Sequence, residues 1–263
     1  MEIAEYIDAL HGEGIALAEA AGRAGLDAAV PACPPWAVRD LLRHTGYIHR
    51  WAARHIIERP ASVLDGPEEA EILRGEGSEE DLIAWFLAGH AALVETLATA
   101  DPALVCGTFM PAPSPLAFWA RRQAHETAVH RADAQSALGA SAGTPEYPAD
   151  FAADGIDELI MGFGRRRKYA PAAGPAGGRL HVAATDTGDG WSVEPREGRL
   201  QPQRAAQPTA GDTGGAWCTV RGPASAVYLF LWNRSGPDPA GVVIDGDLGV
   251  LAGWQSSVRV RWS

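Results

Sequence analysis

Helical periodicity governs this chain as far as Lys168 and then stops, and that change constrains its fold more than any other feature. Ile3–Ala24 is rich in Ala, Leu and Glu at helical spacing. Trp36–Glu58 follows, entered through Pro34 and Pro35, which a first helical turn tolerates. Ser78, with Asp81 three residues on, resembles a capping box and opens a third run to about Ala100. Ser114 and Pro115 supply an N-cap and a first helical position for a fourth run, which reaches Leu138 and stops at Gly139. Asp150 begins a fifth, ending near Arg167. Long helices in this order predict a bundle with four main antiparallel helices over residues 1–168.

Beyond Lys168 the pattern is different. Tyr169–Gly178 is a Pro/Ala/Gly linker. Short alternating or β-branched runs at Arg179–Ala184, Gly190–Glu194, Ala216–Arg221, Val242–Ile244 and Ser257–Trp262 read as strands. Pro223–Trp232 and Leu248–Trp254 read as helices, and Gln201–Gly215 as an irregular connection. The expectation is an α+β chain: a helical bundle over residues 1–168 and a small α+β domain over 179–263.

The formal charge of −11 works against binding duplex nucleic acid. The one basic run, Arg165 to Lys168, is where cations complement the end of a helix. Cys33, Cys106 and Cys218 are odd in number and widely spaced, which fits a reducing cytosol and buried apolar roles rather than a disulfide framework. The acidic start at Met1–Glu5 does not read as a signal peptide, and no run approaches ~18 uninterrupted apolar residues, so no membrane span is expected.

The fourth run carries polar residues where a core should be. Its apolar stripe passes through Leu116, Trp119, Ala120, Gln123, Ala137 and Leu138, and Glu126 and His130 fall on it, one turn apart. A buried carboxylate is costly unless paired or ligated, so something inside the bundle should meet both side chains. The stripe of the second run, Leu41, His44, Ile48 and Trp51, offers His44. The set His44, Glu126 and His130 suits Zn²⁺ or a similar divalent ion with a fourth position open. On spacing alone, a satisfied core histidine is the more usual outcome, and Glu126 with His130 also fits a plain helical hydrogen-bonded pair.

The other polar residues fit less well. His125 and His130 are five apart and point ~140° away from one another, so this is no zincin motif, and His125 reads as a supporting or surface residue. His49 points elsewhere, and His55 lies ~16 Å along the axis from His44. His11, His90 and His181 read as structural or solvated. Arg131 and Asp133 read as supporting residues, with Asp133 the reserve ligand.

The same residues carry a family resemblance. Trp36, then Val38-Arg39-Asp40-Leu41-Leu42-Arg43-His44, and later His125-Glu126 to His130 and Asp133, resemble the two patterns of the mycothiol-dependent maleylpyruvate isomerase family, relatives of DinB-like bundles. The resemblance extends to a C-terminal domain similar to sterol carrier protein, through Val220–Ser225, Tyr228–Arg234 and Asp245-Gly246-Asp247. It implies zinc on His44, Glu126 and His130, and an arginine of the C-terminal domain serving the active site, for which Arg234 is the match. As a residue closing a helix, Arg234 also fits a dipole partner.

The resemblance further implies mycothiol, the thiol of actinobacteria, as cosubstrate. A chain whose only lysine is Lys168 is consistent with high-GC coding. A thiol coordinated to such a cation loses its proton and becomes a nucleophile. As an isomerase, the thiolate adds to a conjugated double bond, the resulting single bond rotates, and the thiol leaves. As an S-transferase, the thiolate attacks an electrophile and stays. A cation such as Arg234 would hold a carboxylate or developing enolate. The alternative is a non-catalytic small-molecule binding or regulatory protein that keeps the bundle. Metal content separates the two.

Overall fold

The structure is a computed structural model that describes residues 1–64, 71, 81–139, 142–165, 178–205, 217–235 and 239–258. It divides into two compact units, Met1–Pro145 and Glu146–Ser263. The chain has the α+β class: a helical unit and a unit built on a mixed sheet.

The first unit holds α1 (Ile3–Ala24), α2 (Val38–Glu58), α3 (Leu82–Thr99) and α4 (Pro115–Ser136). Helix α1 packs chiefly against α4, and α2 against α3. Glycines allow the helices to approach closely: a Cβ on Gly46 would strike Trp85 of α3, one on Gly89 would strike Arg50 of α2, and one on Gly14 would strike the His90 ring. Ser114 caps α4 by accepting from the Ala117 amide at 3.1 Å, with Pro115 in the first turn. Helix α2 begins after the two prolines rather than at Trp36, and the Asp40 carboxylate accepts from the Ala37 amide at 2.9 Å. The Asp of the Val-x-Asp-Leu pattern is therefore a helix-start device. Ser78 lies outside the described residues.

Helix α3 is the one described helix long and apolar enough to cross a membrane by length and composition. Here it is a bundle helix that buries Leu82, Trp85, Phe86, Gly89, His90, Leu93 and Leu97. Helix α4 departs from the single stripe that the sequence suggested. It is buried nearly all round, from Leu116 to Ala134, because α1, α2 and α3 all pack on it.

The second unit carries a five-stranded sheet in the order β3-β2-β1-β4-β5, built from β1 (Arg179–Ala184), β2 (Gly190–Arg196), β3 (Arg199–Arg204), β4 (Trp217–Gly222) and β5 (Val243–Gly246). Only the β1–β4 pair is parallel; the rest are antiparallel. Its helices are α5 (Ala149–Asp157), α6 (Ala224–Leu231) and α7 (Leu248–Ser257).

Four expectations need correction. Helix α5 was grouped with the bundle, but it packs on α6: Phe151 and Tyr147 lie edge-on to Tyr228, and the Tyr147 amide donates to Ser225 Oγ at 3.0 Å. It is also shorter than expected, giving way to a π turn at Glu158–Gly162. Residues 201–204, expected as irregular connection, belong to β3. That strand lies at the sheet edge, where a proline is tolerated, and buries Leu200 and Pro202 while its arginines and glutamines face out. Ser257, expected to start a strand, ends α7; residues 259–262 lie outside those described, as does the linker before Gly178.

Candidate metal centre

Helices α2 and α4 bring His44, Glu126 and His130 together. Glu126 Oε1 is 3.2 Å from His130 Nε2 and 3.5 Å from His44 Nε2. Among the described residues this is the one set of three His, Cys, Asp or Glu donors close enough to share an ion, all within 4.8 Å of one another. Tetrahedral ligands at about 2.1 Å from a zinc ion stand roughly 3.4 Å apart. The two separations to Glu126 bracket that value, and all three donors lie within 4.8 Å of one another, so the imidazole and carboxylate set fits a divalent ion.

Each donor is aimed by a neighbour. His130 Nδ1 donates to Asp133 Oδ2 at 2.9 Å, which leaves Nε2 facing the other donors. Arg122 Nη2 donates to Glu126 Oε2 at 2.9 Å, which leaves Oε1 facing the histidines. Cys33 Sγ stands 3.5 Å from the same Asp133 oxygen. The Trp36 ring lies 5.0 Å from that of His44 and 6.4 Å from that of His130, forming an aromatic wall. A short β-bridge between Ala29 and Ala37 and the Val30 amide bond to Trp36 O shape the turn that carries Trp36 and Cys33 here. His44 retains 13 % of its side-chain exposure against 3 % for each of the other two donors, so access is from the His44 side.

The charges of the site are tightly coupled. Burial works against ionisation of Glu126, yet hydrogen bonds from His130 and His44 and the Arg122 charge hold its carboxyl well below the usual range. Burial likewise opposes charge on His130, but Asp133 and Glu126 overcome it and raise the imidazole to about 9. The His130 ring thus stands between two carboxylates, Asp133 on Nδ1 and Glu126 on Nε2.

The remaining sequence candidates fall elsewhere. His125, read as a supporting or surface residue, is wholly buried beside Tyr6. His49 is buried and hydrogen-bonds Thr127 Oγ1 at 2.9 Å. His55 is buried, bonded through Nδ1 to Trp51 O and through Nε2 to the Leu64 amide. His90 and His181 are buried, and Arg131 pairs with Glu13 at 3.5 Å. In the second unit, Arg234 Nη1 donates to Trp232 O at 2.7 Å. Sequence reasoning missed Arg122, although its place four residues before Glu126 was signal enough.

A helical unit bearing a two-histidine, one-carboxylate donor set, followed by a mixed α+β unit, defines the class of protein. The family model for the mycothiol maleylpyruvate isomerase N-terminal domain matches residues 7–135, and that for the C-terminal domain of the same family matches residues 150–253. The chain belongs to the mycothiol-dependent maleylpyruvate isomerase family. Among solved structures it is similar to the mycothiol-dependent maleylpyruvate isomerase, at 13 % identity and TM-score 0.60 over 93 % of both chains. It matches a histidine-to-alanine mutant of that enzyme at 12 % identity and TM-score 0.61, again over 93 % of both. At these identities the likeness shows the fold. No curated protein matches the sequence.

Proposed function

We propose that this chain is a thiol-using enzyme, an isomerase or S-transferase that takes mycothiol as cosubstrate and a small electrophile as substrate. The observation that carries the reading is the convergence of His44, Glu126 and His130 within 4.8 Å, in a chain of this family. These three residues would hold a divalent cation, and their imidazole and carboxylate donors suit Zn²⁺. Such a cation, when bound, supplies a Lewis acid with a free position at which a thiol is acidified.

The protein's own residues prepare that position. Asp133 fixes the His130 ring through Nδ1, and Arg122 fixes the Glu126 carboxylate. The Trp36 ring lies beside the two imidazoles and would wall that flank. Arg234, assigned by resemblance, would bind a carboxylate of the substrate or the enolate that develops after thiol addition. None of the three cysteines is in a disulfide, in keeping with a reducing cytosol.

The test begins with metal. The purified chain should bind one equivalent of Zn²⁺. Incubation of the loaded protein with mycothiol and a panel of electrophiles, read by mass spectrometry, should give either an isomerised substrate or a thioether adduct. A chain that takes up no Zn²⁺ would instead be the non-catalytic binding module. Arg234→Ala should lower turnover with metal content unchanged; full activity in that variant would remove Arg234 from the reading.

A further inference from the structure

Arg122 is 1 % exposed, inside the helical unit and one turn before Glu126 on α4. A guanidinium at that depth is costly unless a carboxylate meets it. Glu126, itself 2 % exposed, meets it with one oxygen only. The carboxylate is thereby divided: Oε2 accepts from Arg122 Nη2 at 2.9 Å, while Oε1 faces His130 Nε2 at 3.2 Å and His44 Nε2 at 3.5 Å.

That division has a chemical consequence. A carboxylate can bind a cation through one oxygen or through both. Bound through both, Glu126 would take up a position on a small four- or five-coordinate ion that an incoming thiol needs. We propose that Arg122 is a positioning residue: it keeps Glu126 a one-oxygen ligand and so reserves the remaining coordination position for the thiol. The inference rests on the metal reading above. It does not need Arg122 to touch either substrate, which its burial forbids. The guanidinium suits the task because its planar fork fixes the carboxylate's direction, where an ammonium would act as a point charge. Burial of both side chains holds the pair in one geometry, unlike an exposed i, i+4 pair.

The experiment uses the full chain loaded with Co²⁺, whose visible bands weaken as coordination rises from four to five, and 2-mercaptoethanol as the thiol probe. The wild type should bind one Co²⁺, show intense bands and form a sulfur-to-cobalt charge-transfer band on thiol addition. Arg122→Met should still bind cobalt, show weaker visible bands, and bind the probe roughly 10–100-fold less tightly. Arg122→Gln, which keeps a polar side chain without the charge, serves as the second variant should Arg122→Met fail to fold, and the same losses are expected of it. Arg122→Lys should recover part of the probe affinity. A folded Met or Gln variant with the wild-type cobalt spectrum and probe affinity would overturn the assignment of Arg122 while leaving the metal site standing. A wild type that binds no Co²⁺ and no Zn²⁺ would take down the metal reading itself, and this inference with it.

Discussion

The two units fill their interiors by opposite means. The helical unit buries Thr45, His49, His55, His90, Arg122, Gln123, His125, Glu126, Thr127, His130 and Asp133. The sheet unit buries few polar side chains; Tyr147, Phe151, Leu180, Val182, Val220, Val227, Tyr228 and Leu229 fill its core. One of its two buried carboxylates, Asp157, is held by Trp191 Nε1 at 3.0 Å and by two nitrogens of Arg204. Apolar packing makes a core stable without directing any one side chain. Hydrogen bonds and charges direct side chains, and each must be matched to offset desolvation. The helical unit accepts the second arrangement, and the donor triad with Arg122 and Asp133 is its most tightly bonded part.

If this contrast holds, ligand removal and core truncation should have separable effects. The largest is expected from Glu126→Ala, which removes one of three donors and leaves Arg122 without its carboxylate. Zn²⁺ affinity should fall at least about 1000-fold, equivalent to about 4 kcal/mol, in a chelator competition assay. Retention of near-native affinity would show that the triad is a structural cluster. Phe151→Ala should do the reverse: destabilise the sheet unit by about 3–4 kcal/mol in denaturant unfolding, with Zn²⁺ stoichiometry unchanged. Coupled loss of metal would erase the distinction between the units.

A finer test is Asp133→Ala. Loss of the hydrogen bond that orients His130 should weaken Zn²⁺ binding roughly 10–100-fold while the fold persists by circular dichroism. The smallest effect concerns Glu13, whose carboxyl is raised from 4.5 to about 7, chiefly by burial, with Arg131 opposing. The folded chain then binds this proton more tightly than the unfolded chain. Stability from this group is greatest below pH 4.5, declines as pH rises to about 7, and is flat above that. Glu13→Gln should remove the decline and stabilise the protein at pH 8 by on the order of 1–2 kcal/mol, with no gain at pH 4.5. Parallel pH profiles for variant and wild type would assign the decline to another group.

Local signals told the sequence reader most. Ile3–Ala24 and Arg179–Ala184 have the expected bounds, because continuous periodicity with clear breakers marks both ends. Ser114 and Pro115 announce α4 through chemistry confined to one turn. The convergence of His44 with Glu126 and His130 was readable because a polar side chain on an apolar stripe requires a partner. What stayed hidden depends on distant contacts. That α5 joins Tyr228 is a matter of residues nearly eighty positions apart, as in the bond from the Tyr147 amide to Ser225. The burial of His125 follows from α4 being enclosed on all sides, which the composition of α4 alone does not disclose. Strand β3 escaped because its glutamines, arginines and proline belong on an exposed edge, where β-propensity is weakest as a guide.

The helical unit is in effect two closely packed pairs, α1 with α4 and α2 with α3, and contact between α2 and α4 is slighter. The donors straddle that thinner boundary. Glu126 and His130 ride together on α4, so their separation is set by one helical turn and survives any relative sliding of the pairs. His44 rides on α2 and does not share that protection. A bound ion would therefore act as a rivet between the pairs. Parting of the two pairs would cost such an ion the His44 donor first, since the other two donors belong to a single helix.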